Sequence, residues 1–110
     1  MSSETLLVLT TCGSAEDADA LATGLVEARL AACVNAVHGV GSTYRWENRV
    51  LKDRETLLII KTTAARFAAL EQAIRERSGY ELPEVVALPV ETGSAPYLDW
   101  VAESVAELKD

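Results

Sequence analysis

Six residues in three short clusters carry the side chains with which this chain could do chemistry: Tyr44 and Trp46, then Lys61, then Tyr80, Glu81 and Glu84. A lysine brought beside two carboxylates and a phenol could bind a small anion or move a proton. The same set could instead tie subunits together with hydrogen-bonded ion pairs, whose loss leaves charges buried and unpaired. Tyr44 and Trp46, large aromatics with a polar tip, suit an interface. A buried strand is satisfied by Val, Ile and Leu, so polar and aromatic groups at strand ends must find partners. The six are therefore read as an inter-subunit pocket or interface, and none is assigned a catalytic role.

Soft metal ligands are few: Cys12, Cys33 and the single histidine, His38. Copper and zinc are held well by imidazole and thiol groups. Cys12, in Thr11-Cys12-Gly13-Ser14, is expected in an exposed loop, and Cys33 is expected to be a small core residue. His38, between Val37 and Gly39, is expected at a strand bend, on the surface or hydrogen-bonded. Cys12 and His38 are the metal candidates. No cofactor is required, and an acidic surface is compatible with weak, unspecific binding of a divalent cation such as Cu(II).

With 110 residues, the chain reads as one domain, 1–110, with a single modest core. Its formal charge of −7 disfavours nucleic acid, whose affinity for proteins comes largely from Lys and Arg, and equally an anionic membrane. The acidic excess is compatible with attracting cations and also simply keeps a protein soluble. Met1-Ser2-Ser3-Glu4 lacks a basic leader region, and no apolar stretch reaches membrane-spanning length. A cytoplasmic chain with reduced cysteines is expected.

These side chains must be placed by strands and helices that are well punctuated. Residues 5–10 form an apolar run of strand length, suited to a central strand. Gly13 ends it, and Ser14 can cap a helix carrying Ala18, Leu21, Ala22, Leu25, Val26 and Ala28 on one stripe to about Leu30. A second strand begins at 33–37, is interrupted at Gly39 and Gly41, and resumes at Ser42; alternation puts Ser42, Tyr44 and Trp46 on one face. Asn48-Arg49 suits a hairpin tip, and residues 55–62 return as a third strand. Thr63 can cap a second helix with Phe67, Leu70, Ala73 and Ile74 inward, stopped at Ser78-Gly79. Residues 84–91 form a fourth strand, which Pro89 confines to an edge or a bulge. Gly93, Ser94 and Pro96 open a last helix with Tyr97, Val101, Val105 and Leu108 on one stripe.

The order β-α-β-β-α-β plus a terminal helix predicts an α+β, ferredoxin-like antiparallel sandwich with an extra C-terminal helix. Residue content excludes several occupants of that fold. The two central strands contain no aromatic residue on which RNA bases could stack, and the first loop offers one thiol where a soft-metal chaperone needs two. No arginine-bearing glycine loop follows the first strand for an acylphosphatase-like phosphate cradle. Two helices cover one sheet face, and the other would expose a large apolar patch, so further copies of the chain are expected to cover it.

Leu30-Ala31-Ala32-Cys33-Val34-Asn35, Ser42-Thr43-Tyr44-Arg45-Trp46-Glu47, Ile60-Lys61-Thr62-Thr63 and Tyr80-Glu81-Leu82-Pro83-Glu84, with Tyr97 and Trp100, together resemble the CutA family, small proteins linked to divalent-cation tolerance. The resemblance implies a PII-like homotrimer, a role in divalent metal or copper tolerance, and no enzymatic activity. The chain departs from the family pattern at Ser78-Gly79-Tyr80, where a His-Pro-Tyr segment is usual, and at Trp46-Glu47-Asn48, where Trp-Glu-Gly is usual. Loss of that histidine removes an imidazole from the expected copper ligands. A divalent cation or small ligand at subunit junctions is the expected partner. The alternative is a nucleotide- or small-molecule-sensing signalling trimer of the PII kind, though the hairpin at Asn48 is short for a signalling loop.

Overall fold

A computed structural model describes residues 4–108. In chain order the elements are β1 (Thr5–Cys12), α1 (Ala15–Glu27), β2 (Cys33–Trp46), β3 (Arg49–Thr63), a 3-10 turn (Ala64–Arg66), α2 (Phe67–Arg77), β4 (Val86–Pro89) and α3 (Ala95–Val105). The four strands form one antiparallel sheet in the order β2-β3-β1-β4. This is the expected ferredoxin-like arrangement, with Pro89 on an edge strand, where its missing N–H costs no ladder bond.

Strand register sorts every side chain onto one of two faces. Leu6, Val8, Thr10 and Cys12 of β1 stand opposite Thr62, Ile60, Leu58 and Thr56 of β3, and all eight are buried. Ala18, Leu21 and Leu25 of α1 and Leu70, Ala73 and Ile74 of α2 close over this face and complete the main core. The opposite face carries Leu7 and Leu9 of β1, Leu57, Ile59 and Lys61 of β3, and Val86 and Leu88 of β4. α3 packs against β3 and β1, forms a smaller core of Ala32, Val101 and Val105, and brings Tyr97 to Cys33 on this second face. The Arg29 guanidinium donates to the carbonyls of Glu103 and Ala106, satisfying backbone acceptors where α3 ends. Beyond α3 an apolar strip remains open, in which Val37, Val86 and Leu88 are each close to half exposed.

Several boundaries differ from expectation, for local reasons. α1 stops at Glu27 rather than near Leu30, because Arg29 turns left-handed at φ 60° to hand the chain to β2. Ser14 does cap α1, its Oγ accepting from the Asp17 N–H at 3.1 Å. β2 is continuous through Gly39 and Gly41; a bulge between Val37 and Val40 absorbs the irregularity, and Gly39 supplies the positive φ of 73°. The hairpin tip is Glu47-Asn48, both left-handed, a two-residue turn whose twist matches the strands. β3 therefore begins at Arg49, six residues before the expected start.

Thr63 ends β3 with its side chain buried, and α2 begins only after the 3-10 turn, so Thr63 does not cap α2. β4 shrinks to Val86–Pro89, the stretch that pairs with β1. On α3, Tyr97 and Leu108 are exposed rather than inward; Leu108 lies past the helix end.

Candidate functional site

β1 pairs with β3 only as far as Thr56, whereas β2 and β3 stay paired out to Trp46 and Arg49. The excess is a two-stranded arm that projects beyond the sheet and stretches the molecule to 46 Å. The irregular segment between α2 and β4 lies beside the arm. Gly79, at φ 79°, turns the chain out of α2, and the Tyr80 N–H donates to Ser78 Oγ at 3.1 Å, which fixes how Tyr80 enters.

A cleft of about 880 Å³ opens between the arm and this segment. Tyr44, Arg45 and Trp46 line it from the arm, Tyr80, Glu81 and Glu84 from the segment, and Thr11, Ser42 and Glu55 at the base. Glu55 is the organising group. Tyr80 Oη donates to Glu55 Oε2 at 2.7 Å, and the hydroxyls of Ser42 and Thr11 add to the stabilisation of the carboxylate anion. Burial pushes the Glu55 carboxyl up, but the three hydroxyl donors outweigh it and hold the carboxyl below its ordinary value. The Tyr80 phenol is driven well above its ordinary range, first by burial and then by its bond to Glu55. Tyr44 donates to Asp53 across the arm, which raises its phenol too.

Five of the six singled-out residues thus share one cleft: Tyr44, Trp46, Tyr80, Glu81 and Glu84. Lys61 does not. It lies six residues along β3 from Glu55, about 20 Å at the rise of a strand. There its Nζ donates to Asn35 Oδ1 and approaches Cys33 Sγ at 3.9 Å. Within one chain the lysine and the glutamates do not meet.

Sequence reasoning missed Glu55, which it treated as the first residue of an apolar strand. The available signal was a carboxylate at the edge of Leu57-Leu58-Ile59-Ile60, a position that demands donors. Its partners Tyr80, Ser42 and Thr11 come from three other segments, and no spacing ties them together.

The metal candidates fare differently from expectation. Cys12 is not in an exposed loop: it is the last residue of β1, buried at 2% exposure. Burial, then Asp17 and Glu55, raise its thiol, which disfavours the thiolate a metal requires. Cys33 is half-buried rather than a core residue. His38 pairs its Nδ1 with Thr56 Oγ1 at 3.2 Å. Among the described residues no three His, Cys, Asp or Glu side chains converge as a metal site. The donor set of a single chain therefore does not fit a tight copper or zinc centre. No helix among the described residues is long and apolar enough to cross a membrane.

The profile of the CutA1 divalent ion tolerance protein family matches residues 6–104. The Divalent-cation tolerance protein CutA of Thermus thermophilus is 47% identical over 98 residues, spanning 89% of this chain and 95% of its own length. Human Protein CutA is 41% identical over 100 residues, which span 91% of this chain and 56% of the human protein. The crystal structure of CutA1 from Oryza sativa superposes with a TM-score of 0.93 at 38% identity, covering 97% of this chain and 98% of that one. A match over nearly the whole length, in sequence and in fold, makes this chain a member of the CutA family of divalent-cation tolerance proteins.

Proposed function

We propose that the protein works as a non-enzymatic, cytoplasmic homotrimer that binds divalent cations weakly through carboxylate oxygens at its subunit junctions. The observation that carries this reading is the open apolar strip of the sheet, Leu9, Leu57, Ile59, Val86 and Leu88, which runs up to Thr11 at the base of the cleft. Half-exposed Val and Leu side chains in one strip gain about 25 cal/mol for each Å² of apolar surface removed from water. A second copy laid on the strip would border the cleft and turn it into a junction. Membership in a divalent-cation tolerance family supports the cation role, and two free cysteines suit a reducing compartment.

Oxygen donors on an acidic surface bind hard cations loosely and without much selectivity. Copper prefers imidazole and thiolate, and here His38 is engaged with Thr56 and Cys12 is buried. Equilibrium dialysis against Cu(II) tests the reading: binding weaker than micromolar is expected, and one tightly held copper per chain overturns it. The nucleotide-sensing alternative is disfavoured by the cleft's charge, since among the described residues Arg45 is the one cation lining it against Glu55, Glu81 and Glu84.

A further inference from the structure

We propose that the cleft binds a small organic ammonium ion, its N–H groups on the Glu55 carboxylate and its carbon body against Tyr44 and Trp46. The inference rests on reading the cleft as a ligand site and not merely as a structural joint, and it names the ligand's chemistry.

Hydrogen-bonding capacity is the first argument. A hydroxyl has one hydrogen to give and two lone pairs. Tyr80 commits its own to Glu55 at 2.7 Å, and the Ser42 and Thr11 hydroxyls also favour the ionised carboxylate. What the base of the cleft offers a visitor is chiefly lone pairs: the remaining capacity of the carboxylate and the oxygen of the spent Tyr80 hydroxyl. Such a floor, centred on a carboxylate, favours a ligand rich in N–H groups over carboxylates and phosphates.

Charge and shape narrow the choice. Among the described residues Glu55, Glu81 and Glu84 line the cleft with Arg45 as the sole cation, and Asp53 stands beside Tyr44. A positive ligand is favoured by this field. The walls add three aromatic rings, Tyr44, Trp46 and Tyr80, and aromatic faces attract organic cations at close range. A bare metal ion uses such walls poorly: calcium takes six to eight oxygens, and magnesium demands a near-ideal octahedron. No set of three ligating side chains converges here among the described residues. An ion that carries its charge on nitrogen and its bulk as hydrocarbon uses both halves of the site. The volume of about 880 Å³ leaves room for a ligand larger than a hydrated ion.

Isothermal titration of the full chain at neutral pH with benzylamine, cationic under these conditions, tests the proposal. Benzyl alcohol serves as the neutral counterpart of the same shape, with benzoate and calcium chloride as further arms. Benzylamine is expected to bind at least tenfold more tightly than benzyl alcohol, and benzoate to give no heat. Glu55→Gln should lose at least tenfold for benzylamine while leaving benzyl alcohol unchanged. Trp46→Leu, which keeps the carboxylate, should weaken both aromatic probes several-fold and so stands in should Glu55→Gln fail to fold.

Equal affinity for amine and alcohol, an absence of benzylamine binding, or a folded Glu55→Gln variant that binds as before would overturn the proposal. Displacement of benzylamine by calcium at low micromolar concentration would do the same. Light scattering on the same samples separates this result from the assembly: a single chain that takes benzylamine contradicts the trimer alone, and a trimer that does not contradicts the ammonium site alone.

Discussion

Tyr80 donates its phenolic hydrogen to Glu55 across 25 residues of sequence, at 2.7 Å, and so joins the segment after α2 to the base of the β2–β3 arm. Both partners are affected. The carboxyl is stabilised as an anion and the phenol as a neutral acid, the two forms between which a charge-assisted hydrogen bond is strongest.

Removing that hydroxyl should loosen the cleft without emptying the core. Tyr80→Phe is expected to cost about 1 kcal/mol, since the bond is charge-assisted but its donor is more than a third exposed. Urea denaturation checks the value. A variant as stable as the parent would show that the bond contributes nothing net.

The same pair predicts two pH effects of opposite sign. The Glu55 carboxyl titrates lower in the folded chain than its ordinary 4.5, so its contribution is complete above that value and is lost as pH falls through the folded value. The Tyr80 phenol titrates higher than its ordinary 10.0, so its contribution is complete below pH 10.0 and is lost as pH rises beyond it. Tyr44 and Tyr97 are shifted upward as well. Ultraviolet titration should therefore find the three tyrosines of the folded chain ionising above 10.0, and all of them near 10.0 in urea. Glu55→Gln should lower the Tyr80 step. A Tyr80 that titrates normally in the folded parent and does not move in Glu55→Gln would contradict the coupling.

The core makes a sharper demand. Leu58 is fully buried between the sheet and the two covering helices. Leu58→Ala should destabilise the chain by about 3 kcal/mol, the lost transfer energy plus the cavity left behind. The N-cap variant Ser14→Ala should cost about 1 kcal/mol. Denaturant midpoints check both, and an inverted order would contradict the burial assignment.

Cys12 should be chemically silent. Its thiol is 2% exposed and raised above its usual range, so a disulfide-exchange reagent should titrate it only after the chain unfolds. Rapid labelling of Cys12 in the native protein, located by mass spectrometry, would contradict its placement.

Much of the fold was legible because local signals and the global pattern agree. The apolar run at residues 5–10, Gly13 before the Ser14 cap, and Pro89 on an edge strand all point to one topology. Expectation failed where tertiary geometry decides. Cys12 looked like a loop residue beside Gly13, yet pairing with Thr56 carries β1 two residues further. Tyr97 and Leu108 fit the helical stripe of α3, but the helix ends at Val105 and Tyr97 turns to Cys33.

The site was half legible for a related reason. Tyr44, Trp46, Tyr80, Glu81 and Glu84 are side chains that packing alone would not select, so their types drew notice. Lys61 drew notice on the same ground, and the rise of β3 carries it away from them. Glu55 escaped because its meaning comes from donors in three separate segments.

The account stands or falls on what covers the apolar strip around Leu9, Ile59, Val86 and Leu88. Multi-angle light scattering of the full chain at low micromolar concentration measures this most directly. The predicted mass is three times that of the chain, and Leu88→Lys, placed at a half-exposed position that a single chain tolerates, should reduce it while the far-ultraviolet circular dichroism stays native. A parent protein that is folded and has the mass of one chain would contradict the account.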